Sequence, residues 1–137
     1  MIITTIEPRF SDTDALGHIS NTAYPMWFED SRVGLFKVFH PSLDVEKWPL
    51  ILARIEIDFL AQSFWGSEVV LKTYVSKLCN SSYTIIHEAW QKNTLVAKGL
   101  AVMVYFDYQS NKPVSIPSDI REQLLAFMQE SNVNQKD

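Results

Sequence analysis

The chain has 137 residues, 47% of them hydrophobic, and a formal net charge of −4. This length suits one globular domain over residues 1–137, and the composition excludes an intrinsically disordered protein. An acidic chain lacks the basic surface typical of proteins that bind nucleic acid or anionic membranes, so we expect neither partner.

Targeting signals and cysteines point to a soluble protein of a reducing compartment. The first residues, MIITTIEPRF, lack the basic start and apolar run of a signal peptide. No stretch approaches the roughly 18–20 apolar residues of a membrane span. Cys79 is the single cysteine, which excludes an intrachain disulfide. We therefore expect a cytoplasmic location.

The first third of the chain predicts a strand, a loop and a long helix. Residues 2–10 are rich in Ile and Thr and read as a strand. Residues 11–20 form a loop, and helical spacing of apolar residues runs from Asn21 to about Phe39, with Ser20 or Asn21 as N-cap. Because the helix is apolar on more than one side, we expect it to be buried on more than one side.

The remainder predicts four strands and a short helix. Alternation of apolar and polar residues marks strands at 51–60 and 69–75, followed by 81–90 and 94–107 around a Lys92-Asn93 turn. Residues 108–116 form a loop, and a helix capped by Ser118 runs to about Gln129. Short turns predict antiparallel neighbours. One helix covers only part of a five-stranded sheet, which favours a partner subunit.

Polar residues that could carry chemistry are concentrated just before the long helix. Asp12, Asp14, His18 and Asn21 lie within ten residues. The first turn of a helix offers unpaired N–H groups and a partial positive charge, which stabilise an oxygen that becomes negative during a reaction. Asp14 could attack a carbonyl carbon there or activate a water. The two aspartates could equally serve the loop and the helix cap, or ligate a cation with His18.

The motif DTDALGHISN, followed by Tyr24 and by FEDSR, resembles the signature of hotdog-fold thioesterases. It is most similar to the 4-hydroxybenzoyl-CoA thioesterase-like acyl-CoA thioesterases. The resemblance continues through IEIDFLAQSFWGSEV, NSSYTIIHEAW and LVAKGLAVMVYFDYQSNKPVSIP. It implies an α+β hotdog fold, in which a five-stranded antiparallel sheet wraps one long central helix, with a short C-terminal helix. It also implies a homodimer, often paired again into a homotetramer, and no metal or other cofactor.

The resemblance assigns roles to three residues, and His18 is a further catalytic candidate. The family's catalytic aspartate matches Asp14, and its carbonyl-polarising amide matches the N–H at or near Asn21. Gly17 matches the loop glycine that lets backbone approach the thioester. His18 could bind substrate or orient Asp14, or could be an ordinary loop histidine.

Other residues are candidates for substrate binding, each with a structural alternative. Tyr24, Trp27 and Phe28 could line an acyl or aryl pocket or belong to the core. Glu29 could hold a water or form an i,i+3 ion pair with Arg32. Several polar residues could meet the phosphates of coenzyme A, although most surface lysines only solubilise a protein: Lys77, Ser81, Ser82, Lys92 and Lys98.

These features predict hydrolysis of an acyl-CoA thioester to free acid and coenzyme A. Three alternatives remain open at this point. The donor could be acyl carrier protein, the fold could be a non-catalytic acyl-CoA-binding module, or it could be a dehydratase of hydroxyacyl thioesters. The sequence leaves the acyl group undefined.

Overall fold

The computed structural model describes residues 1–128, and they form an α+β fold built on one antiparallel sheet. The strand order is β1-β3-β4-β5-β2, with the two-residue β6 paired to β5. The strands are β1 (Ile2–Ile6), β2 (Leu50–Phe59), β3 (Val69–Leu78), β4 (Ser82–Gln91), β5 (Thr94–Asp107) and β6 (Lys112–Pro113), and the helices are α1 (Ala23–Ser31), α2 (Val33–Phe39) and α3 (Ser118–Leu125). The predicted five-stranded hotdog architecture is confirmed.

The β3-β4-β5 meander follows the predicted short turns. Lys92 and Asn93 both have positive φ, 48° and 63°. Two left-handed residues are what a type I′ turn requires, and its twist matches that of the flanking strands. The three strands therefore pair along nearly their whole length.

The strand β2 does not lie beside β3, although the two are consecutive in the chain. It pairs instead with β5, from Leu50 opposite Tyr105 to Phe59 opposite Ala97. The expectation that consecutive strands are neighbours is wrong here. The connection between β2 and β3 spans nine residues, 60–68, which is long enough to cross to the other side of the sheet, whereas a tight turn is not.

The central helix is one helical path with a break at Arg32. The backbone of Arg32 stays in the helical region at φ −80° and ψ −10°, and its carbonyl accepts from Leu35 and Phe36. The helix begins at Ala23 after Thr22 as N-cap, without a side-chain cap hydrogen bond. The predicted caps Ser20 and Asn21 are therefore wrong. The backbone carbonyl of Ser20, not its hydroxyl, takes the Ala23 N–H.

The sheet packs around this helix on two sides and forms two apolar clusters. Leu35, Phe36 and Phe39 of α2 pack with β3–β5 and α3, and Trp27 and Phe28 of α1 pack with the opposite end of the sheet. The helix and the sheet lie close together at Gly99, where an added Cβ would stand 2.7 Å from the Phe28 ring. The predicted burial of the helix on more than one side is confirmed.

Two further boundaries differ from the sequence reading. The first strand ends at Ile6, and residues 10–12 form a 3-10 turn in which the Asp12 side chain accepts the N–H of the N-cap residue Arg9. The last helix has Pro117, not Ser118, at its N-cap position. Its predicted end near Gln129 lies outside the described residues. Within residues 1–128, no helix is both long and apolar enough to cross a membrane.

The edge strand β2 is exposed along most of its length. Only its first residue, Leu50, is buried. Four large apolar side chains are exposed on this strand: Ile51, Leu52, Ile55 and Phe59. The sequence predicted that one face of this strand is buried, and within one protomer that face is largely exposed.

Candidate active site

The loop before the central helix holds the Asp14 carboxylate in a fixed position. Its Oδ1 accepts hydrogen bonds from the N–H of Leu16 at 2.8 Å and of His18 at 3.1 Å. The Asp14 N–H in turn donates to the carbonyl of His18 at 2.8 Å. The second oxygen, Oδ2, lies 4.0 Å from His18 Nδ1, and the side chain is 46% exposed. One carboxylate oxygen is thus tethered and the other points to an accessible space.

Gly17 allows the loop to close around this carboxylate. Its φ of +77° is in the left-handed region, and an added Cβ would meet no atom within 4 Å. The glycine is therefore required for backbone conformation and not for space. The open space above it is compatible with close approach of a ligand to the backbone.

A second segment, residues 63–65 after β2, anchors the loop. The Ser63 carbonyl accepts from Ile19 N–H at 2.8 Å, and the Gly17 carbonyl accepts from Trp65 N–H at 3.2 Å. The His18 ring packs edge-on against Phe64, with centroids 5.0 Å apart. His18 is therefore placed beside Asp14 by aromatic packing as well as by backbone bonds.

Asp12 has a different role from Asp14. It is buried, and it accepts from the backbone N–H and the guanidinium of Arg9. These bonds hold the pKa of the Asp12 carboxyl below its usual range. Asp12 thus fixes the 3-10 turn that leads into the loop, and Asp14 is the carboxylate left with a free oxygen.

The segment that leads from the Asp14 loop into α1 contains a backbone donor without a partner among residues 1–128. Ala23 N–H bonds to Ser20, and Pro25 in the first turn has no N–H. Asn21 is exposed, and its N–H donates no hydrogen bond to another group of residues 1–128. The sequence predicts this N–H as the donor that polarises a carbonyl, and it lies two residues before α1.

The three aromatic candidates on α1 are buried. Tyr24 packs against Phe59 of β2, and its hydroxyl shares a hydrogen bond with Ser63. Phe28 is fully buried and stacks on the His87 ring, with centroids 4.7 Å apart. Trp27 belongs to the same apolar cluster. Within one protomer, core packing and the hydrogen bond between Tyr24 and Ser63 explain the positions of these three aromatic side chains.

Glu29 and Arg32 do not form the ion pair that their spacing suggested. Within residues 1–128, no contact of 4.0 Å or less joins their charged groups. Glu29 is exposed, while the Arg32 side chain turns inward and is 1% exposed. Sequence reasoning missed this buried arginine, because arginine one turn after glutamate normally marks a solvated helix face.

A buried polar network surrounds Arg32. The Nη1 of Arg32 lies 3.1 Å from His87 Nε2, and His87 Nδ1 lies 3.1 Å from the Ser31 hydroxyl and 3.2 Å from that of Thr73. Burial, together with the Arg32 charge, lowers the pKa of His87 to about 3. His87 is therefore neutral, and its contacts with Ser31, Arg32 and Thr73 are internal to the core.

Ser81 and Ser82 lie at the opposite end of the sheet from Asp14. Ser82 pairs with Val104, whereas the β2 end that leads to the Asp14 loop pairs with Ala97. Seven residues of strand separate these positions, or about 23 Å at ~3.3 Å per residue. Within one protomer these serines are not brought to the Asp14 loop.

Residues 1–128 contain no group of three or more His, Cys, Asp or Glu arranged to hold a metal ion.

Comparison with known proteins identifies the family. Residues 8–124 match the model of the thioesterase-like superfamily. A predicted thioesterase from Bacillus stearothermophilus is 38% identical, with a TM-score of 0.90 over 93% of this chain and 96% of its own.

Two further relatives agree with this match. A thioesterase from Thermus thermophilus, crystallised with coenzyme A and zinc, is 30% identical, with a TM-score of 0.80 over 91% of this chain and 92% of its own. The uncharacterised YsmA of Bacillus subtilis is 27% identical over 88% of this chain and 82% of its own. The chain therefore belongs to the thioesterase-like superfamily and has its hotdog fold.

Proposed function

We propose that this protein hydrolyses an acyl-CoA thioester to a free acid and coenzyme A. The observation that carries the proposal is the tethered Asp14 carboxylate, which keeps one oxygen free in an exposed loop. It lies seven residues before Asn21, whose N–H donates to no other group of residues 1–128. Within the superfamily we assign the chain to the 4-hydroxybenzoyl-CoA thioesterase-like group, in the cytoplasm, on the sequence motif and composition.

The chemistry follows from two groups. The thioester carbonyl oxygen accepts a hydrogen bond from Asn21 N–H, which stabilises the negative charge that forms on this oxygen. Asp14 Oδ2 attacks the carbonyl carbon or removes a proton from the attacking water. In the first route, loss of the thiolate leaves the acyl group as a mixed anhydride on Asp14, and a water then cleaves this anhydride to release the acid and restore the carboxylate. In the second route, the oxygen of the attacking water becomes part of the acid, and the C–S bond of the tetrahedral adduct breaks directly. In both routes the thiolate of coenzyme A takes up a proton that comes from the water. His18 stands beside Oδ2, where it can orient it or contact the substrate.

The thioester donor is proposed to be coenzyme A because a relative supports it. The Thermus thermophilus thioesterase, 30% identical over most of both chains, was crystallised with coenzyme A. The acyl group remains to be determined by a substrate panel.

The test is thiol release from a panel of acyl- and aryl-CoA esters. We expect turnover by the parent, and a fall of at least about 100-fold in kcat for Asp14→Asn, because the variant keeps the shape but loses the charge and basicity. Asp119→Asn, a change at an exposed aspartate of α3, is the matched control and should retain parent activity. Full activity in Asp14→Asn would reject the mechanism. Coenzyme A binding without turnover of any ester would favour a binding module.

We further propose that the active unit is a homodimer joined through β2. This strand is a ten-residue edge with apolar side chains exposed on both faces. In an antiparallel β2–β2 pair, Phe59 of one protomer would lie toward Leu50 of the partner subunit. The Asp14 loop would then face the end of the partner's sheet that carries Ser81 and Ser82, the proposed phosphate contacts. Pairing of two such dimers would give the tetramer that the resemblance implies.

A further inference from the structure

The side chain of Gln91, at the end of β4, is a buried amide whose oxygen and both N–H donors are hydrogen-bonded. It is 6% exposed. Its Oε1 accepts from the Phe64 N–H at 2.9 Å, and its Nε2 donates to the carbonyls of Phe64 at 2.8 Å and of Ser67 at 3.1 Å. Because glutamine is mostly exposed in proteins, a buried one with all its bonds directed at one backbone segment indicates a specific role for that segment.

The Gln91 amide holds Phe64 in the way that a neighbouring strand would. Both backbone polar groups of Phe64 bond to this one amide, which is the exchange that two paired residues make in an antiparallel sheet. Phe64 and Ser67 lie in the connection between β2 and β3, outside the regular strands. Gln91 therefore joins this connection to the end of β4. Without the side chain, the N–H and carbonyl of Phe64 would lose their partner, and the segment would have to move to satisfy them.

Phe64 in turn contacts the loop that holds Asp14. Phe64 and His18 form an isolated antiparallel bridge, and their rings pack edge-on with centroids 5.0 Å apart. The His18 N–H donates to Asp14 Oδ1 at 3.1 Å, and the His18 carbonyl accepts the Asp14 N–H at 2.8 Å. A chain of direct contacts thus runs from Gln91 through Phe64 and His18 to the Asp14 carboxylate.

We propose that Gln91 is a positioning residue for the Asp14 carboxylate, which it places through Phe64 and His18. The inference rests on the proposed hydrolysis and extends it to a residue of β4 that lies outside the motif before α1. A catalytic group that is displaced by about 1 Å can lose about 100-fold in rate. Because Gln91 is buried and binds the backbone of the β2–β3 connection, its loss displaces the carboxylate and removes no side chain from the exposed loop.

Steady-state hydrolysis of a thioester that the parent turns over measures this role. We expect Gln91→Ala to lower kcat about 10- to 100-fold with KM within about 3-fold of the parent, because the carboxylate is displaced and the side chains of the loop remain. Tyr74→Phe is the matched control, since it removes a hydrogen bond from a buried side chain of the same sheet, to Glu88 at 2.9 Å, and should keep the parent kcat. A parent-like kcat in Gln91→Ala would overturn the proposal, and so would an equal loss of kcat in Tyr74→Phe.

A second variant, Gln91→Glu, keeps the size of the side chain and covers the case in which Gln91→Ala does not fold. When protonated, its carboxyl accepts from the Phe64 N–H and donates to the Phe64 carbonyl, as the amide does, whereas the ionised form has no donor for the carbonyls of Phe64 and Ser67. Burial raises the pKa of such a carboxyl, so kcat of Gln91→Glu relative to the parent should rise as the pH falls from about 8 to about 5.5. The titration of Asp14 affects both proteins and cancels in this ratio. A low ratio that does not change with pH would contradict the assigned hydrogen bonds.

The position of the loop is also measurable without catalysis, by NMR of the three histidines. The His18 ring lies against Phe64, whereas His40 follows the end of α2. In Gln91→Ala the Cε1–H resonance of His18 should shift because the Phe64 ring moves, and that of His40 should not. A parent that turns over thioesters together with an unshifted His18 in Gln91→Ala would overturn the positioning role alone. A parent without turnover on any ester would reject the proposed hydrolysis, and with it the catalytic consequence of Gln91, even where His18 shifts as expected.

Discussion

Gly99 of β5 lies close to Phe28 of the central helix. A Cβ there would stand 2.7 Å from Phe28 Cε2 and 3.4 Å from the Glu56 carbonyl. Phe28 is fully buried and stacked on His87, so it has little room to move. We expect Gly99→Ala to lower the free energy of unfolding by about 1–3 kcal/mol, measured by urea denaturation.

Gly34 provides the contrast for this prediction. A Cβ there would meet Ile2 Cδ1 at 2.8 Å, the end of a flexible side chain, in a helix where alanine is favoured over glycine. Gly34→Ala should therefore be neutral or stabilising by up to ~1 kcal/mol. Equal losses in the two variants would show that the Phe28 contact does not control the tolerance of Gly99.

His87 should make the fold sensitive to acid. Its pKa in the folded protein is about 3, against about 6.5 in an unfolded chain. Between these values the unfolded state binds the additional proton, so the free energy of unfolding falls as the pH drops from about 6.5 toward 3. At pH 4.5 the loss attributable to His87 is about 2–3 kcal/mol.

The measurement is the free energy of unfolding by urea at about pH 4.5 and about pH 7. His87→Gln should be less stable than the parent at neutral pH but should show a smaller difference between the two pH values. Asp12, whose pKa is lowered by Arg9, contributes a loss of the same sign in both proteins and cancels in the comparison. An unchanged difference in His87→Gln would contradict the assignment to His87.

At the scale of elements, a side-chain hydrogen bond connects the start of α1 to residues 63–65, the segment that anchors the Asp14 loop. The Tyr24 hydroxyl bonds to Ser63, and the Ser63 carbonyl holds Ile19 of the loop. We expect Tyr24→Phe and Ser63→Ala each to cost about 1 kcal/mol of stability and to reduce kcat more than they raise KM, because the loop shifts relative to the helix N-terminus.

A double-mutant cycle tests whether Tyr24 and Ser63 act through this hydrogen bond. If both residues act through one hydrogen bond, the double variant should lose no more activity than either single variant. Tyr108→Phe removes a hydroxyl that donates to the Leu50 carbonyl at the other end of β2 and should leave the activity unchanged. Additive losses at Tyr24 and Ser63 would mean that they act separately.

Local chemistry made most elements predictable. The Lys92-Asn93 turn fixed the β4-β5 hairpin, and helical spacing located the central helix, because both depend on neighbours in the sequence. The position of β2 beside β5 could not be derived in this way. It depends on pairing between residues 38 to 55 positions apart, which no local pattern encodes.

The same limit applies to the site. The motif placed Asp14 and Gly17 in one loop, as the structure has them. Which of the two aspartates is bound to an arginine depends on the contact between Arg9 and Asp12, which the motif does not encode. The inward turn of Arg32 depends on His87, which is 55 residues away in the chain. Such contacts join residues that are distant in the chain and form only in the folded structure, so a local sequence pattern does not predict them.

At the scale of the whole molecule, the two edges of the sheet differ in what they expose. The edge strand β1 has five residues, whereas β2 has ten and exposes Ile51, Leu52, Ile55 and Phe59. A long apolar edge is a template for pairing with another chain, and short edges are poor ones. The proposed dimer should therefore depend on β2 and not on β1.

A lysine placed on each edge separates these two possibilities. Ile55→Lys introduces a charge in the middle of β2, at a side chain 40% exposed in the protomer, and Ile3→Lys does the same on β1, at a side chain 63% exposed. Because an edge lysine opposes strand pairing, we expect Ile55→Lys to sediment as a monomer and to lose thioester hydrolysis, while Ile3→Lys keeps the mass and activity of the parent. A β2 variant that becomes monomeric but retains full activity would show that each protomer carries a complete site. A β2 variant that remains a dimer would place the interface elsewhere on the molecule.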